Sequence, residues 1–157
     1  MDLFAQLALA TATASATALI HLVGLAICIE VLQAGGGRLR TPEARTHQAL
    51  AVLVVGLGLF ILHGVEIWLY AAVYVGLGEF ARLDDALYFS TSTYATIGYG
   101  DLLLSRHWRV LGAIEGVNGV ILLGWSTAFF VSIVNKLRGL EEGWRLFRRH
   151  AASAERR

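Results

Sequence analysis

Three long stretches of the chain are almost wholly apolar. From Leu3 to Ile29 there is no Asp, Glu, Lys or Arg, and a run of that length exceeds the roughly 20 residues a helix needs to cross a bilayer. A second stretch extends from about Gln48 to Gly78, interrupted by Glu66, and a third from about Val110 to Asn135, interrupted by Glu115. The pattern predicts an all-α membrane protein with three spanning helices. A secretory signal is not expected, since the start carries Asp2 in place of a basic region and the apolar stretch is too long.

The polar segments set the expected topology. Between the first two stretches lies "QAGGGRLRTPEARTHQ", with three glycines, the only proline, and Arg38, Arg40 and Arg45. After Asn135 come Lys136, Arg138, Arg145, Arg148, Arg149, Arg156 and Arg157, so that ten of the thirteen basic residues lie on these two segments. The positive-inside bias puts both in the cytoplasm and the N-terminus outside. Residues 79–109 then face outward. Within them Asp84 and Asp85 suit the start of a short helix, as caps and as charges at the positive end of its dipole. A helix over 85–95 is too short to span, so it is expected to dip into the membrane and return. Non-helical backbone at membrane depth survives only where it is buried in protein or lines a wet cavity. The "TIGYG" that follows must line something wet.

Composition agrees with the pattern. Of 157 residues 56% are hydrophobic and 16% charged, with a mean hydropathy of +0.60, outside the range of soluble domains. A net charge of +1 suggests no nucleic-acid partner. The single cysteine, Cys28, allows neither a disulfide framework nor a cysteine-based metal site and reads as a small packing residue.

A row of backbone carbonyls can replace a cation's water shell, but successive carbonyls point one way only if ordinary and left-handed dihedrals alternate. Glycine permits that. Gly98 and Gly100 are expected at the left-handed positions, Ile97 and Tyr99 as outward braces, and the Thr96 hydroxyl as an added oxygen at the inner end. The preceding short helix aims its negative dipole end at the same place, which favours cations.

"TIGYGD", Thr96 to Asp101, resembles the filter of the potassium channels, Thr-Val/Ile-Gly-Tyr-Gly usually followed by Asp. The resemblance runs from "ALYFSTSTYATIGYGD" into "HWRVLGAIEGVNGVILLGWSTAFFVSIVNK", whose glycine spacing looks like the inner helix of the two-pore-domain and bacterial ion-channel groups. It implies passive K+ conduction, with K+ coordinated by carbonyls of Thr96, Ile97, Gly98 and Tyr99 and the strand completed by Gly100. It also implies a homotetramer, since four strands surround one ion axis, no cofactor beyond the K+ itself, and no enzyme activity. A non-conducting assembly module or auxiliary subunit is the alternative. No span carries an arginine repeat of the voltage-sensor type.

Several positions depart from that family. Ala95 stands where most relatives carry a second threonine, and the proline after the filter is missing. Ser92 occupies the place of a pore-helix glutamate that pairs with the filter aspartate in some relatives. Tyr88 and Ser92, four apart on one helix face, are therefore expected to brace Asp101, with Thr93 as further filter support. Gly119 matches the family's bending glycine, with Gly124 as a second gating candidate and close packing as the competing explanation.

Ionisable groups inside spans are costly and point to function. Glu115 is expected behind the filter, bonded to the pore helix or its loop, where burial would make it a candidate proton sensor; Asn118 could face the cavity or a neighbouring helix. His63 and Glu66, three apart, could join His21 as metal ligands in the manner of carboxylate-bridged four-helix proteins, but that needs a second carboxylate–histidine pair. A hydrogen-bonded His–Glu pair tying the outer helices together is the expectation. Leu137, Leu140, Trp144 and Phe147 lie at helical spacing opposite basic residues, as in an amphipathic helix that lies on anionic lipid or bundles with its three copies below the pore. The expected organisation is an extra N-terminal helix (1–34), a cytoplasmic loop (35–47), a pore domain (48–135, with outer helix 48–78, pore helix 85–95, filter 96–101 and inner helix 107–135), and a cytoplasmic tail (136–157). The location expected is a bacterial plasma membrane.

Overall fold

A computed structural model describes residues 3–34 and 44–154, with side chains on the last helix described as far as Leu137. Four helices make up these residues: α1 (Leu3–Ala34), α2 (Ala44–Gly76), α3 (Leu83–Tyr94) and α4 (Arg109–Ala154). Three of them are long and apolar enough to cross a membrane, over Leu3–Ala34, Thr46–Gly76 and Arg109–Leu137, as the hydropathy pattern predicts. At about 1.5 Å per residue the 32 residues of α1 extend about 48 Å, more than the hydrocarbon core, whereas the 12 of α3 reach only about 18 Å.

Helix boundaries differ from the expectation: α2 covers Ala44–Gly76 where 48–78 was expected, α4 starts at Arg109 where 107 was expected, and the start of α3 and the end of α4 also move. The short helix begins at Leu83, and its N-cap is Arg82, with no side-chain cap bond from Asp84 or Asp85. Asp84 is taken by Arg82 instead, Nε donating to Oδ1 at 2.9 Å and Nη2 to Oδ2 at 2.5 Å, so both aspartates lie inside the first turn. That ion pair holds the exposed Asp84 carboxyl below its usual range. The inner helix does not stop near residue 135 but continues to Ala154, through a segment rich in Leu, Glu and Arg that favours helix and holds no proline. Of the expected loop over 35–47, residues 44–47 are the start of α2, while 35–43 and the side chains of Leu140, Trp144 and Phe147 lie outside the described residues.

Helix α1 packs on α2 and α4 of its own chain, and α3 sits between α2 and α4. One apolar cluster, including Tyr70, Tyr74, Phe89, Tyr94, Leu111 and Leu122, holds α3 in that notch. A second, around Val55, Leu59 and Leu62, joins α2 to α1 and to Phe129 and Phe130 of α4. Small residues let α4 come close to α3: Gly112 meets Leu104 and Phe89, Gly116 meets the Thr93 carbonyl, and Gly119 the Tyr94 carbonyl. These glycines recur every three or four residues, which is one helix face. Outward-facing apolar side chains such as Phe60, Ile61, Val117 and Val120 are left for lipid or for other chains.

Candidate functional site

The ribbon after α3 is built from the end of that helix. Ala95 is its C-cap, and the next three residues turn their N–H groups back: Thr96 N donates to Thr93 O at 3.0 Å, Ile97 N to Ser92 O at 2.8 Å and Gly98 N to Ser92 O at 3.1 Å. The last turn of a helix leaves carbonyls without intrahelical partners, and here the ribbon supplies them. No backbone N–H among the described residues donates to the carbonyls of 96–100. Those oxygens are left for something else.

The dihedrals explain the arrangement. Thr96, Gly98 and Gly100 have φ of +58°, +58° and +77°, so every second residue is left-handed. Glycine was expected at two of these positions. The third belongs to Thr96, the one non-glycine residue with positive φ among those described, and a residue with a Cβ pays about 1–3 kcal/mol for that conformation. Strain of this kind persists where the surrounding structure over-determines it, and the bond from Thr96 N to Thr93 is such a constraint.

The outer end of the ribbon is clamped to the exposed face of α3. Tyr88 donates through its hydroxyl to Oδ2 of Asp101 at 2.9 Å, and its ring stacks on that of Tyr99, centroids 6.2 Å apart and planes 12° from parallel. The bond to Asp101 holds the Tyr88 phenol above its usual pKa, with smaller contributions from desolvation and from the Asp101 charge. Ser92 does not take part in the brace. It is buried, and its hydroxyl donates to the Phe89 carbonyl one turn back at 3.0 Å, so its support of the ribbon comes from its own carbonyl oxygen. Beyond the ribbon, Ser105 donates from its N–H and hydroxyl to Glu79 at 2.6 and 2.8 Å, tying the exit loop to the end of α2.

Two buried carboxylates stand behind α3. Glu115 of α4 accepts from Tyr74 of α2 and from Ser90 of α3, each at 2.5 Å. Glu66 of α2 accepts from the hydroxyl of Tyr94, faces His21 Nδ1 at 2.8 Å through Oε1, and faces His63 Nδ1 at 3.0 Å through Oε2. Asn118 does not face a cavity; its Nδ2 donates to Thr17 of α1 at 2.8 Å and to Tyr70 of α2 at 3.2 Å. Polar side chains of all four helices thus meet inside an otherwise apolar bundle.

Sequence reasoning named the two carboxylates, both histidines and Asn118, and missed Thr17, Tyr70, Tyr74, Ser90, Tyr94 and Ser126. Their signal was present as hydroxyls recurring within apolar stretches, where an unpaired polar group is costly. Nothing in the order of the chain says which carboxylate each would reach. Of the two glycines considered for bending, Gly119 is packed against Tyr94, whereas a Cβ at Gly124 would meet nothing within 4 Å.

A protein-family model described as "Ion channel" matches residues 49–136, more than half of the chain, taking in the ribbon, α3 and most of α2 and α4. No curated protein and no solved structure matches. The chain belongs to this ion-channel family.

Proposed function

We propose that this member of the ion-channel family is a potassium-selective pore made of four copies of the chain, through which K+ passes passively down its gradient. The observation that carries the reading is the backbone of residues 96–100, left-handed at every second position and with its carbonyls free of backbone donors. Four such ribbons about one axis present rings of oxygens from Thr96, Ile97, Gly98 and Tyr99 that substitute for the hydration shell of a cation. The Thr96 hydroxyl adds an oxygen at the inner end. Helix α3 ends there at Tyr94, and its partial negative charge favours a cation at the same place.

A single ribbon encloses nothing, which is the reason for four. Ile97 and Tyr99 are 52% and 67% exposed in the single chain, and a cleft of about 490 Å³ lies beside the ribbon, between Ser92, Gly98, Leu103 and Gly112. Neighbouring copies would cover both. Arg38, Arg40 and Arg45 before α2, together with the basic residues from Lys136 onward, favour an outside N-terminus and a cytoplasmic C-terminus, with the tail near anionic lipid. In this arrangement Glu115 and Asn118 hold the inner helix to its surroundings, and Gly124, with open space around it, is the freer bending point.

Proteoliposomes loaded with K+ provide the test. Efflux that continues in K+ gradients, fails in matched Na+ gradients and disappears in Gly98→Ala supports the pore. Equal efflux of both ions would reject the selectivity, and no efflux from correctly assembled protein would favour a non-conducting assembly module.

A further inference from the structure

We propose that His21, His63 and Glu66 form a binding site for one first-row divalent transition-metal ion, with zinc the best match, linking α1 to the pore-bearing part of the chain. Their ligand atoms all lie within 4.8 Å of one another, His21 and Glu66 being fully buried and His63 nearly so. Two imidazole nitrogens and one carboxylate are a zinc donor set. The Tyr94 hydroxyl supplies a fourth oxygen, since it donates to Glu66 and lies 3.0 Å from His63 Nδ1. A mononuclear site of this kind needs no second carboxylate–histidine pair.

The hydrogen bonds around the cluster point the same way. With no ion and both imidazoles neutral, Nδ1–H groups bonded to Glu66 leave both Nε2 atoms as acceptors. Both face one hydroxyl, Ser126 Oγ, at 2.9 Å from His63 and 3.4 Å from His21. A hydroxyl has a single proton, so in that state one of the two nitrogens has no donor, and without an ion the shortfall is met by protonating one imidazole or by turning the Tyr94 hydroxyl onto His63 Nδ1. An ion on the Nδ1 side reverses both tautomers. Each Nε2–H then donates to Ser126, whose oxygen has two lone pairs, and every ring nitrogen is satisfied. A ligating histidine that gives its other N–H to a fixed acceptor is the usual outer arrangement of a metal site. Binding that releases the Tyr94 phenolic proton to solvent leaves ion, carboxylate and phenolate without net charge, as an apolar span requires.

The inference does not depend on conduction and is tested without it. The full chain, purified in lipid nanodiscs and freed of metal with chelator, is titrated with Zn2+ and with Co2+ as a spectroscopic probe. The expected result is one ion per chain, the intense visible absorption of four-coordinate Co2+, and a higher unfolding temperature with Zn2+. His21→Gln and His63→Gln should each abolish the spectrum, while His107→Gln should leave it. Ser126→Ala keeps every ligand and should weaken affinity by about 10-fold or more, which keeps the test open if a histidine variant fails to fold. No saturable binding at millimolar ion, or binding and spectrum unchanged in Ser126→Ala and in the folded histidine variants, would overturn the site.

Discussion

The carbonyl oxygen of Tyr94, at the end of α3, lies so close to the Cα of Gly119 in α4 that an added Cβ would collide with the Tyr94 backbone. The obstacle is backbone on one side and an inner helix on the other, and neither can swing aside as a side chain does. The glycine is required by this contact whatever else it does.

Gly119→Ala is therefore expected to cost about 1–3 kcal/mol or more, the range for overpacking a closed interface. Gly124→Ala should be neutral or stabilising by up to about 1 kcal/mol, because its Cβ meets nothing and alanine is the better helix former. Thermal unfolding of the solubilised protein checks both. If Gly119→Ala left stability intact and changed only open probability, the residue would be a hinge and not a packing site.

Removing the Tyr88 hydroxyl takes away the one side-chain donor to Asp101 among the described residues. Tyr88→Phe keeps the ring on Tyr99, so the expected change is confined to the outer end of the ribbon and shows as faster loss of conduction at low external K+. The same bond predicts an alkaline limit. The phenol is raised in the folded chain, so the stabilisation it contributes is fully present below the ordinary tyrosine pKa and is lost as pH rises through the raised value. Conduction should fall along that alkaline limb in the wild type. An identical limb in Tyr88→Phe would assign it to another group.

Glu115 satisfies two hydroxyls, and they are not equivalent. Ser90 has a second acceptor in the Ile67 carbonyl at 3.0 Å, whereas Tyr74 donates to Glu115 alone among the bonds described. Glu115→Leu should then destabilise the bundle by about 1–3 kcal/mol, the cost of one stranded buried hydroxyl. The double variant with Tyr74→Phe should recover much of that loss. Chemical or thermal unfolding of the four members of the cycle decides it; strict additivity would show that the two residues are not coupled.

Much of this was readable in the chain. The three spans follow from apolar runs long enough to cross a bilayer, and Gly98 and Gly100 advertise left-handed backbone because no other residue adopts it as freely. Thr96 does not advertise it. Its conformation is held by its own bond to Thr93 and by those of Ile97 and Gly98 to Ser92, which exist only once α3 has formed. The boundary of α3 was shifted for a similar local reason, the pairing of Arg82 with Asp84. The attachment of α1 was legible only in part: a His–Glu pair tying the outer helices together was expected, and His21 meets Glu66, 45 residues away, but the bond between Thr17 and Asn118, 101 residues apart, was not foreseen. Periodicity reports which face of a helix is polar, not which distant residue it meets.

The strain at Thr96 yields a prediction in which stability and function part. Thr96→Gly relieves a conformation that costs about 1–3 kcal/mol, offset by about 1 kcal/mol of extra chain entropy in the unfolded state, so the variant should unfold at the same or a higher temperature. It also removes the hydroxyl proposed to line the inner end of the filter. K+ conductance should fall while stability does not, as single-channel recording beside thermal unfolding would show. A large loss of stability would mean that the hydroxyl, and not the backbone, holds the ribbon.

The most direct test of the whole account is the reversal potential of the purified protein in planar bilayers, with K+ on one side and Na+ on the other. The account predicts a reversal close to the K+ equilibrium potential, abolished together with the current in Gly98→Ala. A reversal near zero, or a current untouched by that substitution, would contradict it, since ions would then be passing without selection or by a path other than the carbonyls of residues 96–99.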